Sequence, residues 1–171
     1  MSFLFRYCDF ELDEDMYIRF LIEHHDELNL PYSFPVKLSF FCSPLVFGKA
    51  MLILNEETYE SVAAVGYVYG TGPNDYEDQH ICQIEVAFIV EDYRCNSLFV
   101  KGLMELVDFI KQDNPAVSQI QFWAPDDQIY LEKLFGKFLS LPKSTRTVVN
   151  NLALYTLSFH ALYDFCERFK E

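Results

Sequence analysis

Apolar and polar positions change their period several times along the chain, and each change predicts an element. Residues 2–8 are an apolar, aromatic run that predicts a short strand. Asp13, Glu14 and Asp15 then put negative charge in the first turn of a helix. Its apolar positions include Met16, Phe20, Leu21 and Leu28, and it is expected to end near Asn29-Leu30-Pro31. In residues 32–48, Pro35, Pro44 and Gly48 interrupt a Phe-rich stretch, which predicts a loop with a short helix packed on the core. Residues 51–54 and 62–69 are apolar runs around a polar turn, the pattern of a hairpin. Gly70-Thr71-Gly72-Pro73-Asn74-Asp75 marks a turn, and the Ile-, Val- and Phe-rich residues 80–90 predict a further strand, giving three antiparallel strands in succession.

Downstream the period lengthens. Phe99, Leu103, Leu106, Val107 and Ile110 recur at helical spacing over residues 97–112, with Asn96 or Ser97 as N-cap and Asn114-Pro115 as the stop. Residues 117–123 predict a strand and 126–138 a helix. A right-handed crossover is expected to leave the strands flanking the 97–112 helix parallel. One late strand over 148–159, after a turn at Pro142-Lys143-Ser144, and a short helix complete an α+β fold in one domain spanning 1–171.

Composition narrows the function classes. With 171 residues, 51% hydrophobic and 17% aromatic, the chain is too apolar to be mainly disordered. A net charge of −13 with no basic stripe argues against a nucleic-acid partner. The acidity favours cationic or amine ligands, or simply keeps an aromatic-rich protein in solution. Cys8, Cys42, Cys82, Cys95 and Cys166 are scattered without C-x-x-C or His spacing, so neither a zinc site nor a disulfide framework is expected. The N-terminus lacks the basic-then-apolar order of a signal peptide, which predicts a cytoplasmic protein. The longest uncharged run, 147–163, carries Asn150, Asn151, Ser158 and His160 and does not suit a membrane span. His24 and His25, among Glu23, Asp26 and Glu27, read as a solvated charged face rather than metal ligands. Phe34, Phe40, Phe41 and Phe47 fill the core or line a substrate pocket.

The order of elements, and above all Ile84-Glu85-Val86-Ala87-Phe88-Ile89-Val90-Glu91-Asp92-Tyr93-Arg94, resembles the GCN5-related N-acetyltransferase family. In its ribosomal-protein-type members a similar acid-bearing strand runs into a Pro-Glu-Tyr-Arg-like turn before the cofactor-binding helix. The resemblance implies a mixed, mostly antiparallel sheet flanked by helices. It also implies acetyl-CoA as co-substrate and transfer of its acetyl group to a primary amine on a small molecule or peptide. A helix N-terminus, with free N–H groups and a positive dipole end, suits the coenzyme A pyrophosphate.

The family's Q/R-x-x-G-x-G/A pattern maps onto Arg94, Cys95, Asn96, Ser97, Leu98 and Phe99, so the first position matches and both small-residue positions differ. The resemblance further implies that the backbone of Phe88, Ile89 and Val90 holds the pantetheine arm and polarises the thioester, and that Glu85 accepts the amine proton through water. Glu85 reads equally as an outward-facing strand residue or the partner of an arginine. Leu131 occupies the family's general-acid tyrosine position, and Tyr130 is one residue earlier, a helical rotation of about 100°. Two alternatives stay open: a degenerate, non-catalytic module of this fold that binds a ligand or protein and pairs as a homodimer, and an unrelated α+β fold with the same element order.

Overall fold

The computed structural model describes residues 1–28, 30–94, 96–127 and 129–170, without the side chains of residues 96, 129–132 and 134. Seven strands form one sheet in the order β1-β2-β3-β4-β5-β7-β6, and the residues gather into two compact units. The first unit comprises Met1–Val68 and Ile84–Gly102, the second Tyr69–Gln83 and Leu103–Glu171.

In the first unit β1 (Phe3–Tyr7) lies antiparallel to β2 (Gly48–Asn55), Phe3 opposite Asn55 and Tyr7 opposite Met51. The hairpin expected around residues 55–61 joins β2 to β3 (Ser61–Tyr69), with a register shift between Ile53 and Leu54. Helix α1 (Glu11–Glu23) begins with Glu11, Asp13 and Glu14 at the positive end of its dipole and buries Tyr17, Phe20 and Leu21. The stretch predicted as a loop with a short helix is instead a 14-residue helix, α2 (Phe34–Phe47). Pro35 falls in its first turn, where the missing N–H has no intrahelical partner, and Pro44 is accommodated inside. Tyr17, Phe20, Leu21, Phe41, Leu52, Leu54, Val86 and Phe88 share one core, each such large side chain contributing about 1.5–3 kcal/mol relative to exposure. Asp13, almost wholly buried, sits 2.7 Å from Arg6 Nε, close enough for an ion pair though outside hydrogen-bond angles.

In the second unit β5 (Gln119–Pro125) and β7 (Leu152–Ser158) pair antiparallel, as do β7 and β6 (Thr145–Val149). The late strand expected as one piece is therefore a hairpin. Asn150 and Asn151, at φ +49° and +64°, make its two-residue turn, a conformation that asparagine tolerates. Ala124, Ala153 and Tyr155 pack with Phe122 and Phe135 of α4 (Ile129–Leu139), Phe122 stacking on Tyr155 at 5.1 Å. The C-terminal helix α5 (Phe159–Glu167) is capped by the Ser158 hydroxyl, which accepts from the Ala161 amide. Gly70, at φ +85°, enters the turn expected after β3; a Cβ there would meet the Tyr76 backbone at 2.7 Å.

Candidate functional site

Strand β4 (Ile81–Ile89) leads through a 3₁₀ turn (Glu91–Tyr93) into the 18-residue helix α3 (Asn96–Asp113). The turn is braced at both ends and through Tyr93. The Val90 amide donates to the Val62 carbonyl at 2.9 Å, the Tyr93 amide to the Val90 carbonyl, and the Arg94 amide to the Glu91 carbonyl. Tyr93 packs edge-on to Phe3, and its hydroxyl accepts from Asn55 Nδ2 at 3.2 Å. Arg94 folds back along the strand: its Nε donates to the Ile89 carbonyl at 2.8 Å, and its guanidinium lies 5.6 Å from the Phe88 ring centroid.

The site residues named from sequence fare differently. Phe88 and Leu98 are buried in the core, so only their backbone is available to a ligand. The Val90 amide is spent on Val62, which leaves it no hydrogen for a bound thioester. Ser97 is exposed at the start of α3 and Phe99 half-buried. A helix N-terminus presents the positive end of its dipole, and α3 opens here beside an exposed serine. Glu85 is half-buried. Cys95 lies outside the described residues, as do the side chains of Asn96, Tyr130 and Leu131.

Two residues that the sequence left in the background belong to this region. His24 is not a solvated face: its ring packs 4.8 Å from Phe20 and 5.1 Å from Phe88, with Nδ1 2.7 Å from Glu27 Oε1. Tyr17 is fully buried, and its hydroxyl has no hydrogen-bond partner among the described residues. Burial, then the neighbouring Cys8, Cys42 and Glu85 groups, holds this phenol well above its ordinary pKa, so it is neutral. Burial likewise pushes the Cys8 thiol up to about 12, with Asp13, Glu14 and Asp9 adding to it against Arg6. Cys8 is therefore no thiolate nucleophile at neutral pH.

A cleft of about 470 Å³ opens between α1, the start of β3 and the end of β4. Arg19, Phe20, Glu23, His24, Glu60 and Tyr93 are among its lining residues. Arg19 is paired with Asp15 at 2.8 Å, so Glu23 and Glu60 leave the rim negative. Its volume falls in the range of small-molecule sites. Among the described residues no group of three His, Cys, Asp or Glu side chains could hold a metal, and no helix is long and apolar enough to cross a membrane.

No protein-family model and no curated protein matches the sequence. Solved structures do match the fold. An acetyltransferase from Streptococcus agalactiae superposes with a TM-score of 0.64 at 11% identity, covering 92% of this chain and 99% of that one. A GNAT-family acetyltransferase from Staphylococcus aureus gives 0.62 at 15%, covering 91% and 99%. The catalytic domain of the Tetrahymena GCN5 histone acetyltransferase, in complex with coenzyme A, gives 0.60 at 10%, covering 93% of each chain. The α+β architecture, with its seven-stranded, mostly antiparallel sheet, is that of the GCN5-related N-acetyltransferases.

Proposed function

We propose that this protein is an N-acetyltransferase that moves the acetyl group of acetyl-CoA to a primary amine on a small molecule or peptide. The observation that carries the reading is the braced turn between β4 and α3, in a fold shared with an enzyme bound to coenzyme A. The pyrophosphate takes the first-turn amides of α3, residues 96–99, and the helix dipole favours its charge without basic side chains. Arg94 serves by holding the turn through the Ile89 carbonyl and the Phe88 ring. With the Val90 amide engaged, pairing to the pantetheine arm falls to the backbone of Phe88 and Ile89.

In the reaction the neutral amine nitrogen attacks the thioester carbonyl, the C–N bond forms, the C–S bond breaks and coenzyme A leaves as a thiolate. Glu85 accepts the proton lost by the amine through water, and Tyr130 is the group proposed to return one to the thiolate. The negative rim at Glu23 and Glu60 supports an amine acceptor. Glu85→Gln tests the assignment: turnover should fall by about 10²–10⁴-fold while coenzyme A binding is kept. Unchanged turnover removes Glu85 from the role. Ser97 and Phe99, standing where the family carries small residues, favour a second reading, in which the fold binds a ligand and turns nothing over; coenzyme A affinity without thiol release from acetyl-CoA across an amine panel would establish it.

A further inference from the structure

The second unit holds a cleft of its own that the acetyl-transfer reading does not use. It encloses about 500 Å³ and is lined by Lys111, Lys143 and His160, by Ser118 and Gln119, and by the Tyr163 ring, among others. Among the described residues no Asp or Glu lines it, in a chain with twice as many acidic as basic residues. Of the carboxylates nearest in sequence, two are engaged elsewhere and the third, Asp164, sits against the lining residue His160. Asp108 takes Lys170 at 2.8 Å, Asp113 accepts the Tyr69 hydroxyl at 2.7 Å, and Asp164 lies 3.2 Å from His160 Nε2. Lys111 has no carboxylate within ion-pair distance among the described residues; its ammonium sits 3.8 Å above the Tyr163 ring, which fixes the charge beside an aromatic face. Lys143 is likewise without an ion pair among them. Two lysines without an ion pair among the described residues therefore line a cleft with apolar walls at Val117, Leu157 and Phe159.

We propose that this cleft binds a small organic anion, a phosphate or carboxylate carried on an apolar or aromatic body. The two lysines supply the charge, Ser118 and Gln119 the hydrogen-bonding groups, and the Tyr163 ring with the apolar wall the surface for the body. In an acidic protein the bulk field repels anions, so a local cationic cleft is what selects one.

The test is an amide-resolved NMR titration of the full chain with phenyl phosphate and, separately, inorganic phosphate. Phenyl phosphate should saturate with shifts centred on Ser118, Gln119 and His160, and should bind about tenfold more tightly than inorganic phosphate because its ring buries apolar area. The double variant Lys111→Gln/Lys143→Gln should weaken it by at least about tenfold without lowering the thermal midpoint, since both side chains are exposed. Shifts that never saturate, shifts confined to residues 94–99, or unchanged affinity in the double variant overturn the site. Equal affinity for the two probes overturns the organic character of the ligand.

Discussion

Replacing Gly66 by alanine probes the buried phenol at the centre of the first unit. An added Cβ would stand 2.1 Å from the Tyr17 hydroxyl oxygen and 2.7 Å from Pro44 Cγ, where ordinary contacts are beyond 3.4 Å. Tyr17 is fully buried, so its ring cannot swing into solvent, and Pro44 is fixed within α2. Overpacking of a closed core costs about 1–3 kcal/mol, and a contact this short belongs at the upper end. Tyr17→Phe acts on the same contact from the other side: it deletes a hydroxyl that has no partner, so it should be neutral or stabilising by up to about 1 kcal/mol. The double variant should then recover part of the alanine's cost, with a coupling of at least about 1 kcal/mol, leaving the Pro44 clash as the remainder. Urea unfolding followed by circular dichroism at constant m reads all four corners of the cycle. A Gly66→Ala change within about 0.5 kcal/mol of the parent, or additive single and double variants, would refute the packing argument.

Other consequences are equally direct. Burial raises the Asp78 carboxyl pKa, but the Thr71 hydroxyl and amide, each at 2.7 Å, and Asn74 Nδ2 at 2.9 Å outweigh it and bring the pKa from 3.8 down to about 2. A depressed folded-state pKa stabilises fully above 3.8 and is lost as pH falls toward about 2; Asp78→Asn should flatten the urea midpoint across that window, and an unchanged pH slope would contradict the assignment. Arg94→Lys keeps the charge but loses the Nε bond to Ile89, so coenzyme A affinity should fall nearly as far as in Arg94→Ala, by about tenfold; full retention in the lysine variant would make the residue a simple point charge.

Local signals carried most of the fold. The acidic first turn of α1, the apolar stripe of α3 and the turn chemistry from Gly70 onward act over a few residues, so β1–β5, α1 and α3 could be read from them. The turn of the β6–β7 hairpin falls on Asn150-Asn151, a pair without the glycine that marks the strongest two-residue turn signal, inside a run that otherwise reads as one strand. Helix α2 was hidden by two prolines, one of which in fact suits a first turn. At the site, the strand and turn from Ile84 to Arg94 were legible, whereas the direction of Arg94 was not: whether a guanidinium faces a ligand or its own strand depends on the Ile89 carbonyl and the Phe88 ring. His24 lies among charged neighbours in sequence and between aromatic rings in space, a placement decided by β4. Tyr17 meets Gly66 and Pro44 only through tertiary packing, so no periodicity could mark it.

The central claim is that the braced turn at the head of α3 holds coenzyme A although Ser97 and Phe99 replace small residues. Calorimetric titration of the purified chain with coenzyme A and acetyl-CoA tests this without knowledge of the acceptor. The account predicts one-to-one binding with a dissociation constant of about 1–100 μM, or roughly −8 to −5 kcal/mol. The absence of binding heat with the cofactor at about 1 mM would contradict it.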